Sequence, residues 1–206
     1  MSAPRPRRKL PPRPKRGAPD ETRKRLVEAA ARVFNEVGYQ GTDSNRLAKE
    51  AGYSPGTFYK HFADKRAIFL AAYDAWALAE WTAIGQSLRS GGPPSHVASS
   101  IVHEVLGFHG RWSGFRASLR ALVMWDPVVR EHHRRARRRQ LRVMAGLRRA
   151  PGTSRRTAEQ DAILLLTLER ICDAIADGEV HELGLKRDAL VRYLESLVLA
   201  HIAARA

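Results

Sequence analysis

From Asp20 onward, apolar residues recur at intervals of three and four, and no stretch of useful length alternates as a strand would. Leu26, Ala30, Val33, Phe34 and Val37 fall at helical spacing in a first helix, which Gly38 ends and Asp20 is placed to cap. Thr42 can cap a short second helix that carries Leu47, Ala48 and Ala51 and stops at Gly52. Ser54 then caps a third helix with Pro55 at its first position. Proline is tolerated there because first-turn N–H groups have no intrahelical partner. A long fourth helix is predicted from Asp64 or Lys65 to about Arg89, and Gly91-Gly92-Pro93-Pro94 breaks the chain after it. Further helices are expected over 95–109, 111–125, 127–149, 156–177 and 186–204, punctuated by Gly110, Asp126-Pro127, Pro151-Gly152 and Gly178. The pattern predicts an all-α protein without internal repeats.

A chain of 206 residues suits one or two small domains and can bury a core. Its formal net charge of +15 favours a polyanionic partner, either nucleic acid or an anionic membrane surface. That charge sits in two places. Residues 1–19 hold seven basic residues and no acid, and residues 130–149 hold nine arginines against Glu131. The first stretch mixes Pro with Arg and Lys without apolar periodicity and reads as a disordered basic arm. It can reach along a nucleic-acid backbone or into a minor groove, or serve as a solvated tail that only raises non-specific affinity; either way it steepens salt dependence. The single cysteine, Cys172, excludes an intrachain disulfide and points to a reducing compartment. No apolar stretch follows the basic N-terminus, so no secretory signal is expected. The longest apolar run, Ala162 to Leu168, is far too short for a bilayer. A cytoplasmic protein with no membrane partner is the expectation.

The two short helices joined by Ala51-Gly52-Tyr53-Ser54 read as a helix-turn-helix. Phe58 and Phe62, four apart, share the face that packs on Leu47, Ala48 and the first helix. Gly56, Thr57, Tyr59 and Lys60 are left on the outer faces. Small residues at the N-terminal end of such a helix let it approach base edges, while Tyr59 and Lys60 can reach phosphates. Thr42 can donate its hydroxyl to a phosphate at the start of the second helix, and Lys65 can do likewise at the start of the fourth. Arg46 could reach a guanine.

The stretch "RVFNEVGYQGTDSNRLAKEAGYSPGTFYKHFADKRAIF" resembles the N-terminal DNA-binding domain of the TetR (tetracycline-repressor-like) family. The match runs through Phe34, Gly38-Tyr39, Thr42, Leu47-Ala48, Ala51-Gly52, Ser54, Gly56, Phe58-Tyr59, His61-Phe62 and Lys65. The resemblance implies three parts: the arm (1–19), a helix-turn-helix domain (20–66), and a helical ligand-binding and dimerisation domain (67–206). It implies a homodimeric transcriptional regulator, most simply a repressor, that binds a palindromic double-stranded operator and is released by a small hydrophobic or aromatic effector. It places phosphate contacts at Thr42, Tyr59, Lys65 and His61. Base contacts fall among Arg46, Pro55, Gly56, Thr57 and Lys60, with Ser54 completing the DNA-binding set. Asp43, Tyr53 and Arg66 depart from the family's common residues, and Arg66 can add a phosphate contact.

Beyond residue 66 no sharp motif occurs. Tyr73, Trp76, Trp81, His103, Phe108, Trp112, Phe115 and Trp125 are first of all core candidates. Their concentration, with all four tryptophans among them, also suggests an aromatic-lined pocket with His103 as a polar anchor. Residues 127–149 read as an amphipathic helix. Val129, His133, Ala136, Gln140, Val143 and Leu147 are expected inside, and Arg134, Arg135, Arg138, Arg139 and Arg142 outside. That outer face is a solvated surface, an anion-binding surface or a second DNA contact. The 162–175 segment is apolar on more than one face. Together with the last helix it supplies a candidate dimer interface of Leu164, Leu168, Ile171, Leu190, Leu194, Leu197 and Val198.

No His or Cys set has metal-ligand spacing, and no catalytic triad, phosphate-binding glycine loop or carboxylate pair stands out. No metal, cofactor or enzymatic activity is expected. The rival reading is a non-specific nucleic-acid-binding protein driven by the arm and the arginine-rich helix, which would show a strong salt slope and little sequence discrimination.

Overall fold

A computed structural model describes residues 19–148 and 156–203. Among them the chain forms ten helices: α1 (Pro19–Val37), α2 (Ser44–Glu50), α3 (Pro55–His61), α4 (Lys65–Arg89), α5 (Pro94–Arg111), α6 (Ser113–Trp125), α7 (Pro127–Arg148), α8 (Ala158–Ala176), α9 (Glu179–Glu182) and α10 (Arg187–Ile202). The basic arm lies outside the described residues except for Pro19, which opens α1. Arg149, at the end of the basic stretch, lies outside them too. No helix among the described residues is long and apolar enough to cross a membrane.

The residues divide into two compact units, the first ending at Ala75 and the second beginning at Trp76, so α4 starts in one and ends in the other.

In the first unit, α1 buries Leu26, Val27, Ala29, Ala30, Val33 and Phe34. Asp20 sits inside its first turn, not at its cap. There its charge still favours the positive end of the helix dipole. Gly38 follows in the left-handed region, with φ 72° and its N–H on the Phe34 carbonyl, as a helix-ending glycine requires. Gly41 is needed for a different reason: a Cβ there would lie 2.2 Å from the Val37 carbonyl oxygen. The α2 cap is Asp43 and not Thr42, its carboxylate accepting from the Arg46 N–H at 2.8 Å. Thr42 is one residue outside the cap and buried. Phe34, Tyr39 and Phe69 form an aromatic trio with ring centroids 5.1–5.7 Å apart, joining α1, its following turn and the start of α4.

In the second unit, α5 packs between α8 and α10. Val97, Ala98, Ile101, Val102, Val105 and Leu106 of α5 meet Leu164, Leu168 and Cys172 of α8 and Val191, Leu194 and Val198 of α10. Cys172 is wholly buried, and desolvation pushes its thiol up to about 12, so it is an unreactive core residue. Helix α7 buries Val129, Ala136, Gln140 and Met144 and exposes Arg134, Arg135, Arg138, Arg139 and Arg142. Val143, expected inside, is 53 % exposed, and Met144 takes its place because the helical face drifts by one position toward the end of α7. Gly178, at φ 86°, turns the chain into the short α9, which the periodicity did not reveal.

Candidate nucleic-acid interface and interior cavity

Helix α3 is built for one face to be buried and the other bare. Ser54 caps it, accepting from the Thr57 N–H at 3.3 Å, and Pro55 holds the first turn. Phe58 and Phe62 are 0 % and 5 % exposed. The guanidinium of Arg23 lies over the Phe62 ring at 5.0 Å. On the outside Pro55, Gly56, Tyr59 and Lys60 are exposed, while Thr57 and His61 are half-buried. A Cβ on Gly56 would meet nothing closer than the Ser54 hydroxyl at 3.9 Å, so the fold itself does not require glycine there. The small residue serves something outside the chain, or nothing.

The neighbouring turn is held by two cations. Arg46 is exposed and donates from Nη1 to the Gly41 carbonyl at 3.1 Å. Lys65 donates from Nζ to the carbonyls of Tyr39 and Thr42, both at 2.9 Å, and sits 4.2 Å from the Tyr39 ring centroid. Burial lowers its pKa, with Asp43 opposing. Two of its three N–H donors are therefore spent on the fold, and one remains. The Thr42 hydroxyl is buried and has no hydrogen-bond partner among the described residues.

The second unit contains a cavity of about 210 Å³. Trp81, Ile84 and Leu88 of α4 form one wall, and Ile101 and Val105 of α5 another. Leu164, Leu165 and Leu168 of α8, Met144 of α7, and Val198 and Ile202 of α10 complete the apolar lining. Two groups of charged residues also reach it. Near the start of α8, Arg156 pairs with Asp161 at 3.4 Å and donates to the His201 carbonyl, and His201 Nε2 lies 2.8 Å from Asp161. Two turns along, Glu169 is paired with Arg116 at 2.8 Å and with Arg137.

Behind that second group lies a buried network. Arg116 grips Asp173 with two hydrogen bonds, Nε to Oδ1 at 3.0 Å and Nη2 to Oδ2 at 2.8 Å. His109 Nδ1 lies 2.8 Å from the same Oδ1. Burial opposes ionisation of Asp173, but the hydrogen bonds from His109 and Arg116 outweigh it and hold the carboxyl well below the usual range. The other ring nitrogen, His109 Nε2, is 3.4 Å from Glu80 Oε1 without hydrogen-bond alignment. Both residues line the cavity, both are more than nine-tenths buried, and neither atom has a hydrogen-bond partner among the described residues.

Of the eight expected pocket residues, only Trp81 lines the cavity. Tyr73 and Phe115 are core, each 1 % exposed. Trp76 lies behind the cavity, 5.9 Å from the His109 ring and under Arg116. Phe108 stacks under Arg111, and Trp112 meets Phe115 edge-on. His103 faces outward, bonded to the Ser99 carbonyl, and Trp125 is 56 % exposed. The cavity is walled mainly by aliphatic residues.

The proposed dimer residues also redistribute. Leu164, Leu168, Leu194 and Val198 are buried within the single chain, and Ile171, Leu190 and Leu197 are half-buried. The outward apolar residues of α8 are instead Ile163 and Leu166, and that of α10 is Tyr193, all 57–64 % exposed. The network of Glu80, His109, Arg116, Glu169 and Asp173 was missed. Its signal was present: Asp161, Glu169 and Asp173 fall in register with the apolar stripe of Leu164, Leu168 and Cys172, where a solvated charge does not belong.

Among the described residues, no group of His, Cys, Asp and Glu could hold a metal ion.

Residues 26–72 match the family described as bacterial regulatory proteins, tetR family. An HTH-type transcriptional regulator of Staphylococcus aureus (strain USA300) is 47 % identical over 45 residues, 22 % of this chain and 24 % of that protein. The chain thus spans about a quarter of the length of the curated relatives it matches. The fold extends further. A Rhodococcus sp. chain assigned to the TetR family of transcriptional regulators superposes with TM-score 0.73 at 16 % identity, covering 89 % of this chain and 99 % of that one. A Saccharomonospora viridis protein in complex with choline superposes with TM-score 0.69 at 20 % identity, covering 90 % and 99 %. Residues 26–72 thus match the tetR family of bacterial regulatory proteins, and the helices that follow share the fold of these solved structures.

Proposed function

We propose that this protein is a ligand-responsive transcriptional regulator that reads a palindromic operator as a homodimer and is a repressor released by a small apolar effector. The observation that carries the DNA-reading part is the outer face of α3. Pro55, Gly56, Tyr59 and Lys60 are bare there, and Gly56 is small where the fold leaves room for more. A recognition helix with a small N-terminal face and a phosphate-reaching Tyr and Lys fits a major groove. Thr42, Arg46, Ser54, Thr57, His61 and Lys65 complete the proposed contact set. The unpaired Thr42 hydroxyl and the remaining Lys65 N–H are donors in want of an acceptor.

The effector site is the cavity of the second unit. Its apolar walls suit an apolar ligand. The Saccharomonospora viridis protein carries choline on the same fold. The dimer surface is formed by the outward residues of α8 and α10, Ile163, Leu166 and Tyr193. A ligand changes DNA affinity only through its different affinity for DNA-competent and incompetent states.

Selection of bound duplexes from a random pool, at moderate salt with competitor DNA, tests the reading. An enriched inverted repeat supports a sequence-reading dimer. Steeply salt-dependent binding without enrichment supports instead the non-specific binder that the charge of +15 would allow.

A further inference from the structure

The cavity has a polar end whose chemistry is unbalanced. The other charged residues that line it have ionic partners: Arg137 with Glu169, and Arg156 with Asp161. Glu80 has only the misaligned imidazole of His109, 3.4 Å away, and its Oε1 accepts no hydrogen bond among the described residues. A carboxylate 6 % exposed, with a buried oxygen that accepts no hydrogen bond among the described residues, is an expensive arrangement unless something else supplies a donor.

His109 narrows what that is. Its Nδ1 is taken by the Asp173 carboxylate at 2.8 Å, and its Nε2 lies beside Glu80 Oε1 without a hydrogen-bond partner among the described residues. A carboxylate head would set a second negative charge against Glu80, and a hydroxyl can donate to it but brings no charge. An ammonium donates to Glu80 and carries the opposite charge.

The walls fix the rest of the molecule. The lining residues of α4 run from Glu80 to Leu88, roughly 12 Å at the helical rise. Beyond the polar end they are Trp81, Ile84 and Leu88, faced by Leu164 and Val198. The volume of about 210 Å³ holds on the order of seven non-hydrogen atoms, taking about 30 Å³ per water.

We infer that the cavity binds a small amphipathic amine, its protonated primary or secondary nitrogen between Glu80 and His109 and its apolar tail along α4 toward Leu88. This rests on reading the cavity as the effector site.

The test is calorimetric titration of the DNA-free, full-length protein with n-octylammonium, 1-octanol and octanoate, each below its micellar concentration, for wild type and Glu80→Gln. One n-octylammonium per chain is expected, bound about tenfold or more tighter than 1-octanol, because a lost charge-assisted pairing in a buried site costs at least that. Glu80→Gln should remove that preference and leave 1-octanol binding within about twofold. Equal or tighter binding of 1-octanol or octanoate to wild type overturns the assignment, as does a preference that survives Glu80→Gln. The wild-type series stands alone should Glu80→Gln fold poorly. Because no DNA is present, an inverted repeat selected without any amine preference overturns the head group and leaves the regulator standing. Amine binding without a selected repeat does the reverse.

Discussion

The ammonium of Lys65 ties two backbone carbonyls, those of Tyr39 and Thr42, at 2.9 Å each. This fastens the turn between α1 and α2 to the first residue of α4. The lysine that the sequence offers as a phosphate contact is thus first a clamp that sets the position of Thr42. Lys65→Met keeps the stem and deletes the donors, leaving two part-buried carbonyls unpaired. A loss of about 2–3 kcal/mol is expected in urea unfolding, together with weaker operator binding. Lys65→Arg restores charge but not the compact geometry, so it should recover only part of both. An unchanged urea midpoint for the Met variant would remove the clamp.

Gly41 and Gly56 lie on either side of α2 and make opposite demands. A Cβ on Gly41 would collide with the Val37 carbonyl at 2.2 Å, backbone that cannot step aside. Gly41→Ala should therefore destabilise the first unit by roughly 1–3 kcal/mol. Gly56 has open space around it and sits in a helix, so Gly56→Ala should hold or slightly raise the melting temperature. Its effect should appear on DNA instead, as a fall in affinity for the selected operator with little change on random duplex. If Gly56→Ala binds that operator as well as wild type, α3 does not approach the bases as proposed.

Most of this architecture was legible because helical punctuation is local. Pro55 after Ser54, Gly52 and the Gly91-to-Pro94 break each act within a turn of their own position, and the structure places helix ends within a few residues of them. The inner face of α3 was legible for the same reason, since Phe58 and Phe62 share it by spacing alone. The cavity was not. Which side of α8 faces α5, and which is left outside, depends on packing between segments some sixty residues apart, such as His109 with Asp173. The aromatic cluster misled because ring count says nothing about where a gap remains. Arg137 shows the limit most clearly. It belongs to the same arginine run as Arg138 and Arg139, yet it alone of the three turns inward to Glu169.

Ile163 and Leu166, 64 % and 57 % exposed, are the apolar residues that α8 does not use internally. In a dimer built on α8 and α10 they would be buried, and a charge at either would be left unpaired at the contact. Leu166→Glu is expected to shift the protein to monomer in sedimentation at micromolar concentration. It should also weaken operator binding strongly, since two half-sites would no longer be held together. Leu164, two residues away, points into the cavity and the core. Leu164→Ala should lower stability and alter ligand binding without changing the mass. A dimeric Leu166→Glu variant would move the interface elsewhere.

His133 on α7 gives the second unit a pH dependence whose sign is fixed by its surroundings. Burial, then the charges of Arg137, Arg116 and His132, lower its pKa from 6.5 to about 4. Above pH 6.5 the ring is neutral in both folded and unfolded chains and adds no slope. Between pH 6.5 and 4 the unfolded chain takes a proton that the folded chain refuses, so stability falls as pH falls; below about 4 the effect is complete. The full span corresponds to about 2–3 kcal/mol, reduced from the bare shift because the ring is partly solvated. Asp173 does not blur this window. Its lowered carboxyl contributes stability that is lost only below its ordinary value of 3.8. Urea midpoints of wild type and His133→Gln, compared from pH 7 to 4, isolate the histidine. The two curves should separate progressively below pH 6.5, with the variant the less acid-sensitive. Parallel curves would mean that the ring protonates in place, its burial relieved by movement of α7.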